Sequence, residues 1–430
     1  MKRISLFLLL FLLLKATVMY SQDGHPETNF RIVPVSPNAA SLGTFGMIPT
    51  DNYVGQANLT IPIYEIDLDG KKFPIALSYH TDGTRVAQEA TWIGLGWTLQ
   101  AGGCVVRQVQ GTDDFAARGC YNLTDAPWLT NPRFEVTDQN LEKYMGYFKG
   151  DYDAEPDMFY FNAGGHSGSM YFDVLKNNRQ LNAVPTIQTQ EKVVKMVYNT
   201  SNKTWTMTDL EGYVYSFSTK EITYYFLNTI DFFQTDITRS HIFPYYNEPQ
   251  IVTAWMLDSV TSPNGGKIMF SYKKESIFTP ISTTEDVISL SKIVNGQLSS
   301  QSPQYFTNKF NYNYSYSKIE QWTLSAITFE GGKVEFGTTD REDIESAETG
   351  KKVQKLSSIK VSDTAGNLIK TTMLEYKYLL SGMAATTNGY DDRLLLSKVY
   401  DVAGSKKNNV YTMDSVSYTH LRAHETELHL

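Results

Sequence analysis

Apolar residues recur at every second position over long stretches of this chain, and helical spacing is rare. Leu59, Ile61 and Ile63 mark one face of a strand, with Pro62 on the other face; proline cannot donate to a ladder, so an edge position is expected. Asp67-Leu68-Asp69-Gly70 reads as a hairpin turn, and Ile75, Leu77 and Tyr79 alternate with Ala76, Ser78 and His80 in the strand that pairs back. Thr81-Asp82-Gly83 supplies the next turn. There follows Trp92-Ile93-Gly94-Leu95-Gly96-Trp97, after which Leu99, Gly102-Gly103 and Val105-Val106 predict a strand entered through a tight corner. Glycine beside tryptophan implies backbone held close to a ring or a neighbouring strand. Trp92, Gly94, Gly96, Trp97, Gly102 and Gly103 are therefore the candidate structural residues of the block. Its tryptophans have two readings, a packed core or a stacking platform for sugar or peptide, and the burial habit of large aromatics favours the core.

On either side the pattern is looser. Residues 22–54 are punctuated by Pro, Asn and Gly and predict an extended segment. Residues 113–157 read as loop, with one short helical stretch near Gln139 to Phe148. From Met158 onward strand, turn and strand recur, most cleanly in Asp209-Leu210-Glu211-Gly212-Tyr213-Val214-Tyr215-Ser216-Phe217. Units opening on L-x-x-[IV] start at Leu257, Leu324, Leu356 and Leu396, each with a Gly-bearing turn after it. Their spacing is irregular, so these are concatenated hairpins and not a solenoid of fixed period. Lys274 to Lys318, rich in Ser, Thr, Asn and Tyr, is expected to be a long excursion. The fold class expected is mostly β: concatenated antiparallel hairpins forming sandwich- or propeller-like sheets, with few short helices. The division expected is a leader over 1–21, an N-terminal β domain over 22–157, a hairpin-rich region over 158–414, and a tail over 415–430 that does not belong.

Composition sharpens this picture in a few places. The net charge of −8 over 430 residues argues against a nucleic-acid partner, whose phosphates require a basic excess. Lys2-Arg3, an apolar run from Ile4 to Leu14 and a small residue at Ser21 form an export leader too short to span a bilayer. No Cys follows it to carry a lipid, and no later run is long and apolar enough to cross a membrane, so a secreted or cell-surface location is expected. Cys104 and Cys120 are either a disulfide or two buried thiols, a choice the sequence leaves open.

Candidate chemistry is sparse. Asp151, Asp153, Glu155 and Asp157 alternate and could ring one Ca²⁺, although the glycine of a calcium loop is missing and a solvated acidic turn is the simpler reading. No other cofactor is expected. Gly165-His166-Ser167-Gly168-Ser169 lacks the strand–turn–helix setting that a nucleophilic serine needs. The carboxylates of Asp113, Asp114, Glu155 and Asp157 have no recognisable barrel to present them as a glycosidase pair. Arg341-Glu342-Asp343 reads as a turn in which the arginine forks onto a carboxylate.

The order of the motifs carries a resemblance. Ser36-Pro37-Asn38-Ala39-Ala40, the strand from Gly55 to Tyr64, Pro74 to Gly103 with its GLGW core, Glu155-Pro156-Asp157-Met158-Phe159-Tyr160-Phe161 and Gly165 to Phe172 together resemble the N-terminal region of large secreted Rhs/YD-repeat proteins of Gram-negative bacteria. The likeness runs from about Val35 to about Met413. It implies a non-enzymatic, shell-forming or surface-presenting part of a longer protein, like the casing of polymorphic toxins and toxin complexes. The implied partners are a C-terminal repeat region of its own chain and an enclosed effector or cell-surface component. SYTHLRAHET, from Ser417, resembles translated sequencing-adapter read-through, which removes His420, His424 and His429 as a metal cluster. The competing reading is a secreted carbohydrate- or surface-binding β module. That alternative expects Trp92, Trp97, Trp128 or Trp205 exposed beside polar groups, where the casing reading expects them buried.

Overall fold

The computed structural model describes residues 33–47, 59–79, 88–111, 113–116, 119–122, 141, 145, 153, 155–173, 182–188, 194–230, 242–244, 250–290, 293–294, 297–298, 307–379, 392–403 and 406–413. The leader at 1–21, Trp128, Asp151 and the tail at 415–430 lie outside the described residues. The chain divides into two compact units. The smaller takes its described residues from Val109–Asp157 and Phe172–Arg179; the larger comprises Val33–Gln108, Met158–Tyr171 and the described part of Gln180–Leu430.

The larger unit is almost wholly antiparallel β, as the alternating pattern predicts. β1 (Leu59–Leu68), β2 (Lys71–Tyr79) and β3 (Trp97–Gln100) form a three-stranded sheet in that order. β1 lies at its edge, in keeping with Pro62, and a bulge between Pro62 and Tyr64 shifts the buried face from Ile61 and Ile63 to Ile66 and Leu68. Next come β4 (Gly103–Gln108), β5 (Met158–Ala163), β6 (His166–Tyr171), the two-residue β7 (Asn182–Ala183) and β8 (Thr186–Ile187), β9 (Val194–Asn199) and β10 (Thr204–Asp209). β11 (Val214–Ile230), β12 (Phe243–Pro244), β13 (Ile251–Thr261), β14 (Lys267–Phe278) and β15 (Ser282–Leu290) follow, with β16 (Ile293–Val294) and β17 (Gln297–Leu298) as a small separate hairpin. The series ends with β18 (Thr307–Phe329), β19 (Gly332–Asp340), β20 (Glu345–Ser346), β21 (Gln354–Ser362), β22 (Leu368–Leu379), β23 (Arg393–Ala403) and β24 (Lys406–Thr412).

Long strands close this ladder on itself. β11 pairs with β13 through Val214–Thr223 and with β18 through Ile222–Ile230, while β14 pairs with β13 near Lys267 and with β18 as far as Phe278. From β18 the hairpins continue outward as β19, β21, β22, β23 and β24. Each L-x-x-[IV] unit opens inside a strand followed by its turn partner, as the sequence implies. The stretch from Lys274 to Lys318 is no loose excursion: its described residues complete β14, form β15, and pair β15 with the first half of β18.

Two expectations meet a different arrangement. The division at 157/158 is crossed by the sheet, because β4 pairs with β5 on one side and with β13 on the other. The block before residue 108 thus belongs to the same ladder as the later hairpins. The extended course expected over 22–54 gives way to a helix, α1 (Pro37–Met47). Ser36 caps it, its Oγ accepting the Ala39 N–H at 3.2 Å and its carbonyl the Ala40 N–H at 2.9 Å. Pro37 takes the first helical position, where a missing N–H costs nothing. Ala39 of α1 packs on Cys104, Val106, Ala254 and Met256.

The aromatic centre of the unit is Trp205, Trp255, Phe159 and Tyr198, all buried. Trp205 lies 4.8 Å from Tyr198, 5.3 Å from Phe159 and 6.1 Å from Trp255, ring centroid to ring centroid. In the smaller unit Phe115, Tyr121 and Phe172 form a second aromatic cluster beside a 3-10 turn at Cys120–Asn122. Leu141 and Met145, the described residues of the stretch expected to be helical, are helical. No described helix is long and apolar enough to cross a membrane.

Candidate functional site

The Trp–Gly block forms a seam between the start of the chain and its later hairpins. Thr91 and Gly94 make a one-bridge turn, closed by Gly94 N–H to the Thr91 carbonyl at 3.0 Å. The Thr91 hydroxyl donates to the Trp97 carbonyl at 2.7 Å, holding the corner shut. Across the seam, Leu95 N–H donates to the Leu394 carbonyl at 2.8 Å and Leu356 N–H to the Trp92 carbonyl at 2.9 Å. Gly94 sits at φ +120°, and a Cβ there would lie 2.9 Å from the Leu396 nitrogen, so both conformation and contact demand glycine. Gly103 is required by contact alone, since a Cβ would collide with the Asn162 carbonyl of β5. Gly96 lies against the Tyr79 ring and Gly102 against Phe270.

Arg341 locks this seam. It forks onto Asp343, Nε to Oδ1 at 2.8 Å and Nη2 to Oδ2 at 2.7 Å, as the Arg-x-Asp spacing suggests. The same guanidinium donates to the Thr91 carbonyl at 3.0 Å and the Ala90 carbonyl at 3.1 Å. Asp343 in turn accepts the Leu394 N–H at 3.0 Å. Both side chains are almost fully buried, at 2% and 1% exposure. Nearby, Arg393 Nε donates to the Gln88 carbonyl at 2.9 Å, and burial pushes the Glu89 carboxyl above its usual range against the pull of Arg393 and Arg341.

Trp92, Trp97 and Trp205 are buried, at 6%, 4% and 1% exposure. Trp92 N–H donates to the Asn38 side chain at 2.9 Å, which ties α1 to the corner. A cavity of about 40 Å³ between α1, the corner and Trp322 has room for water and not for a substrate-sized ligand. Glu221, a residue with no motif around it, anchors the start of α1: it is wholly buried and accepts the Ser36 N–H at 2.8 Å, the Ser36 hydroxyl, and the Thr253 hydroxyl at 3.1 Å. Burial raises its carboxyl above the usual range despite those donors.

A second polar cluster lies where hairpin turns converge. Lys71 Nζ is 2.5 Å from Asp209 Oδ2 and 3.0 Å from Glu211 Oε2. Asp209 Oδ1 accepts the N–H groups of Glu211 at 3.0 Å and Tyr213 at 2.9 Å, while Tyr215 donates its hydroxyl to Oδ2 at 3.1 Å. The Tyr213 and Tyr215 rings lie 4.8 and 6.0 Å from Nζ, and His166 Nε2 is 3.8 Å from Oδ2. Burial works against both charges, yet the two carboxylates hold the Lys71 ammonium above the usual lysine range. Lys71 and the Tyr213 N–H keep the Asp209 carboxyl below its own.

Other sequence candidates take structural places. Ser167 and Ser169 lie on β6, opposite Asn162 and Tyr160 of β5, in an ordinary hairpin. In the smaller unit Asp157 accepts the Gln110 N–H at 2.7 Å and the Asp114 N–H at 3.2 Å, and Asp153 accepts the Glu155 N–H at 2.9 Å. Among the described residues no group of three or more His, Cys, Asp and Glu side chains is arranged to hold a metal ion. Cys104 and Cys120 are buried free thiols, and burial raises both above the usual thiol range.

No protein-family model matches the chain, and no curated protein matches it. Among solved structures it is similar to TcdB2-TccC3, with 10% sequence identity and a TM-score of 0.38 over 89% of this chain and 16% of that one. The Tc holotoxin pore of Photorhabdus luminescens gives the same values. The N-terminal domain of the effector protein SpvB from Salmonella typhimurium strain LT2 is 13% identical with a TM-score of 0.35, over 81% of this chain and 99% of that domain. The chain thus spans 16% of the length of the toxin-complex chains it resembles.

Proposed function

We propose that this chain is a structural, non-catalytic part of a larger exported β-protein of the Rhs/YD-repeat kind, forming wall or presenting surface. The observation that carries this reading is the burial of the Trp–Gly block. Trp92 and Trp97 are spent inside the molecule, and the corner between them is bonded to Leu356 and Leu394, more than 250 residues away in sequence. A stacking platform for sugar would need those rings at the surface. The cavity beside the block admits only water, which favours a fastening over a catalytic cleft. The last described strand, β24, is exposed along its whole length and pairs with β23 on one side. Among the described residues its other edge has no strand partner, which suits continuation of the ladder by further hairpins of the same polypeptide. Export follows from the leader, and the partners of this reading are that repeat region and whatever it encloses or meets at the cell surface.

Long-read sequencing of the source locus across the codon for Asp414 tests the proposal. A frame that continues into many Tyr-Asp hairpins supports it. A frame that stops at Leu430 overturns it in favour of a free-standing secreted binding module.

A further inference from the structure

The start of α1 is held by buried side chains whose hydrogens can be counted. Ser36, Glu221, Thr223 and Thr253 are all buried. The Ser36 N–H donates to Glu221 Oε1 at 2.8 Å, and the Ser36 hydroxyl meets Oε2. From Oε1 a line of contacts runs back to the same segment. Glu221 Oε1 lies 3.1 Å from Thr253 Oγ1, Thr253 Oγ1 lies 3.2 Å from Thr223 Oγ1, and Thr223 Oγ1 lies 3.0 Å from the Pro34 carbonyl. Each of these contacts needs one hydrogen. The carbonyl can only accept, and the two threonines bring one hydrogen each. An ionised Glu221 brings none, so one contact in the line would set lone pairs face to face. A proton on Oε1 supplies the missing hydrogen and reverses the Thr253 bond: the acid donates to Thr253, Thr253 to Thr223, and Thr223 to Pro34. Both Ser36 donors keep their acceptors.

No cation favours the carboxylate form. Among the described residues the hydrogen-bond partners of Glu221 are Ser36 and Thr253. Residues 33–47 contain no ionisable side chain. On β11 the adjacent Lys220 gives its ammonium to the Asn202 carbonyl at 2.6 Å, and on β18 Glu320 pairs with Lys274 at 2.8 Å. From β4, the Cys104 thiol lies close enough to feel the Glu221 charge. Gln321 of β18 accepts from Asn38 at 3.4 Å and donates to Glu275 of β14, a second buried acid. Burial raises the Glu221 carboxyl above its usual range, in the same sense as the hydrogen count.

We propose that residues 33–47 form a pH-sensitive strap, docked while Glu221 is a neutral acid and released when Glu221 ionises. Ionisation takes away the hydrogen between Glu221 and Thr253 and leaves a buried charge among uncharged groups. Both penalties vanish when the segment lifts, because water then reaches the carboxyl and the proton passes to solvent. Ala39 of the strap packs on Cys104, Val106, Ala254 and Met256. Release therefore uncovers the Cys104 thiol, which is wholly buried in the docked state. The docked state binds the proton more tightly than the released one. Docking is thus complete below the ordinary glutamate range and weakens as pH rises through the raised docked value.

The test is the rate at which iodoacetamide alkylates Cys104 in the folded protein across pH, read by peptide mass spectrometry. Dividing by the rate for a free peptide of the same local sequence cancels the pH dependence of thiolate formation. The expected quotient climbs by up to about tenfold per pH unit from the ordinary glutamate range to the docked value, the slope of one linked proton, and then levels. Glu221→Gln, which cannot ionise, holds it level throughout. Thr223→Val removes one hydroxyl and its contacts with Thr253 and Pro34, so Thr253 is left to donate to an ionised Glu221. The climb then shrinks, whereas Thr223→Ser retains it. A wild-type quotient that stays level with pH overturns the proposal, even if no variant folds. A climb of unchanged slope in folded Glu221→Gln overturns the assignment to Glu221, and one equal to wild type in folded Thr223→Val overturns the hydrogen count.

Discussion

Replacing Arg341 with alanine removes the lock on the Trp–Gly seam. The guanidinium makes two bonds to Asp343 and one each to the carbonyls of Thr91 and Ala90, all buried. Its loss leaves the Asp343 carboxylate, 1% exposed, with the Leu394 N–H as its remaining described donor. Breaking one side of a buried ion pair costs about 3–5 kcal/mol. Each orphaned carbonyl adds about 1–3 kcal/mol, but these terms share one side chain and do not simply add. A loss of about 4 kcal/mol is therefore expected, most of it local to the seam. Hydrogen exchange reads this directly, because the amides of Leu95 and Leu356 bridge the seam. Their protection should fall roughly a thousandfold in Arg341→Ala, while protection in β5 and β6 changes little. Arg341→Lys keeps the charge but not the fork and should fall between the two. A change below about tenfold at both amides would refute the reasoning, since one factor of ten is worth only about 1.4 kcal/mol.

Three further outcomes follow from the same contacts. Gly94→Ala forces a Cβ into the positive-φ corner 2.9 Å from the Leu396 nitrogen, and should lower stability by about 2–4 kcal/mol, read as a fall in the denaturation midpoint. Trp205→Ala empties the centre of the aromatic cluster and should cost about 3–5 kcal/mol, whereas acrylamide should quench little of the native tryptophan emission from this region. Glu221 has a folded-state pKa raised above its unfolded value, so the folded state binds the extra proton and stability falls as pH rises from the unfolded pKa through the folded one. Glu221→Gln, which can still accept from Ser36 N–H and Thr253, should remove that part of the slope across weakly acidic to neutral pH. A slope identical to wild type in denaturation series at several pH values would contradict it.

Much of the fold is legible in period-two alternation. The L-x-x-[IV] openings at Leu257, Leu324, Leu356 and Leu396 each mark a strand because one face of each strand is buried, so register and face are written into the residues. α1 is not legible, because its stability is tertiary. Residues 37–47 contain Gly43 and Gly46 and no apolar stripe, and the helix is set by the bond from Ser36 to Glu221, 185 positions away. The excursion before Lys318 hides for a related reason: its strand is stabilised by pairing with β18, and it opens on a polar run, Ser282-Thr283-Thr284-Glu285-Asp286, with no apolar alternation.

The candidate site divides in the same way. Glycine beside tryptophan signals close backbone approach locally, and Arg341-x-Asp343 signals a fork within one turn. Neither signal names the partner, since Arg341 reaches Thr91 across 250 positions and Gly94 meets Leu396. The Asp209–Gly212 turn is visible as a turn, but Lys71 enters it from a hairpin 138 positions earlier, and only the folded chain places amine beside carboxyl.

The central claim is that this chain is a section of a longer β wall, fastened internally by its Trp–Gly seam. Cryo-electron microscopy of the protein made from the complete reading frame of its locus tests it most directly. The account predicts β24 paired on its outer edge with a following strand of the same polypeptide, and Trp92 and Trp97 inside the wall against Leu356 and Leu394. A structure in which the edge of β24 faces solvent and residues 33–413 stand apart as a separate module would contradict it.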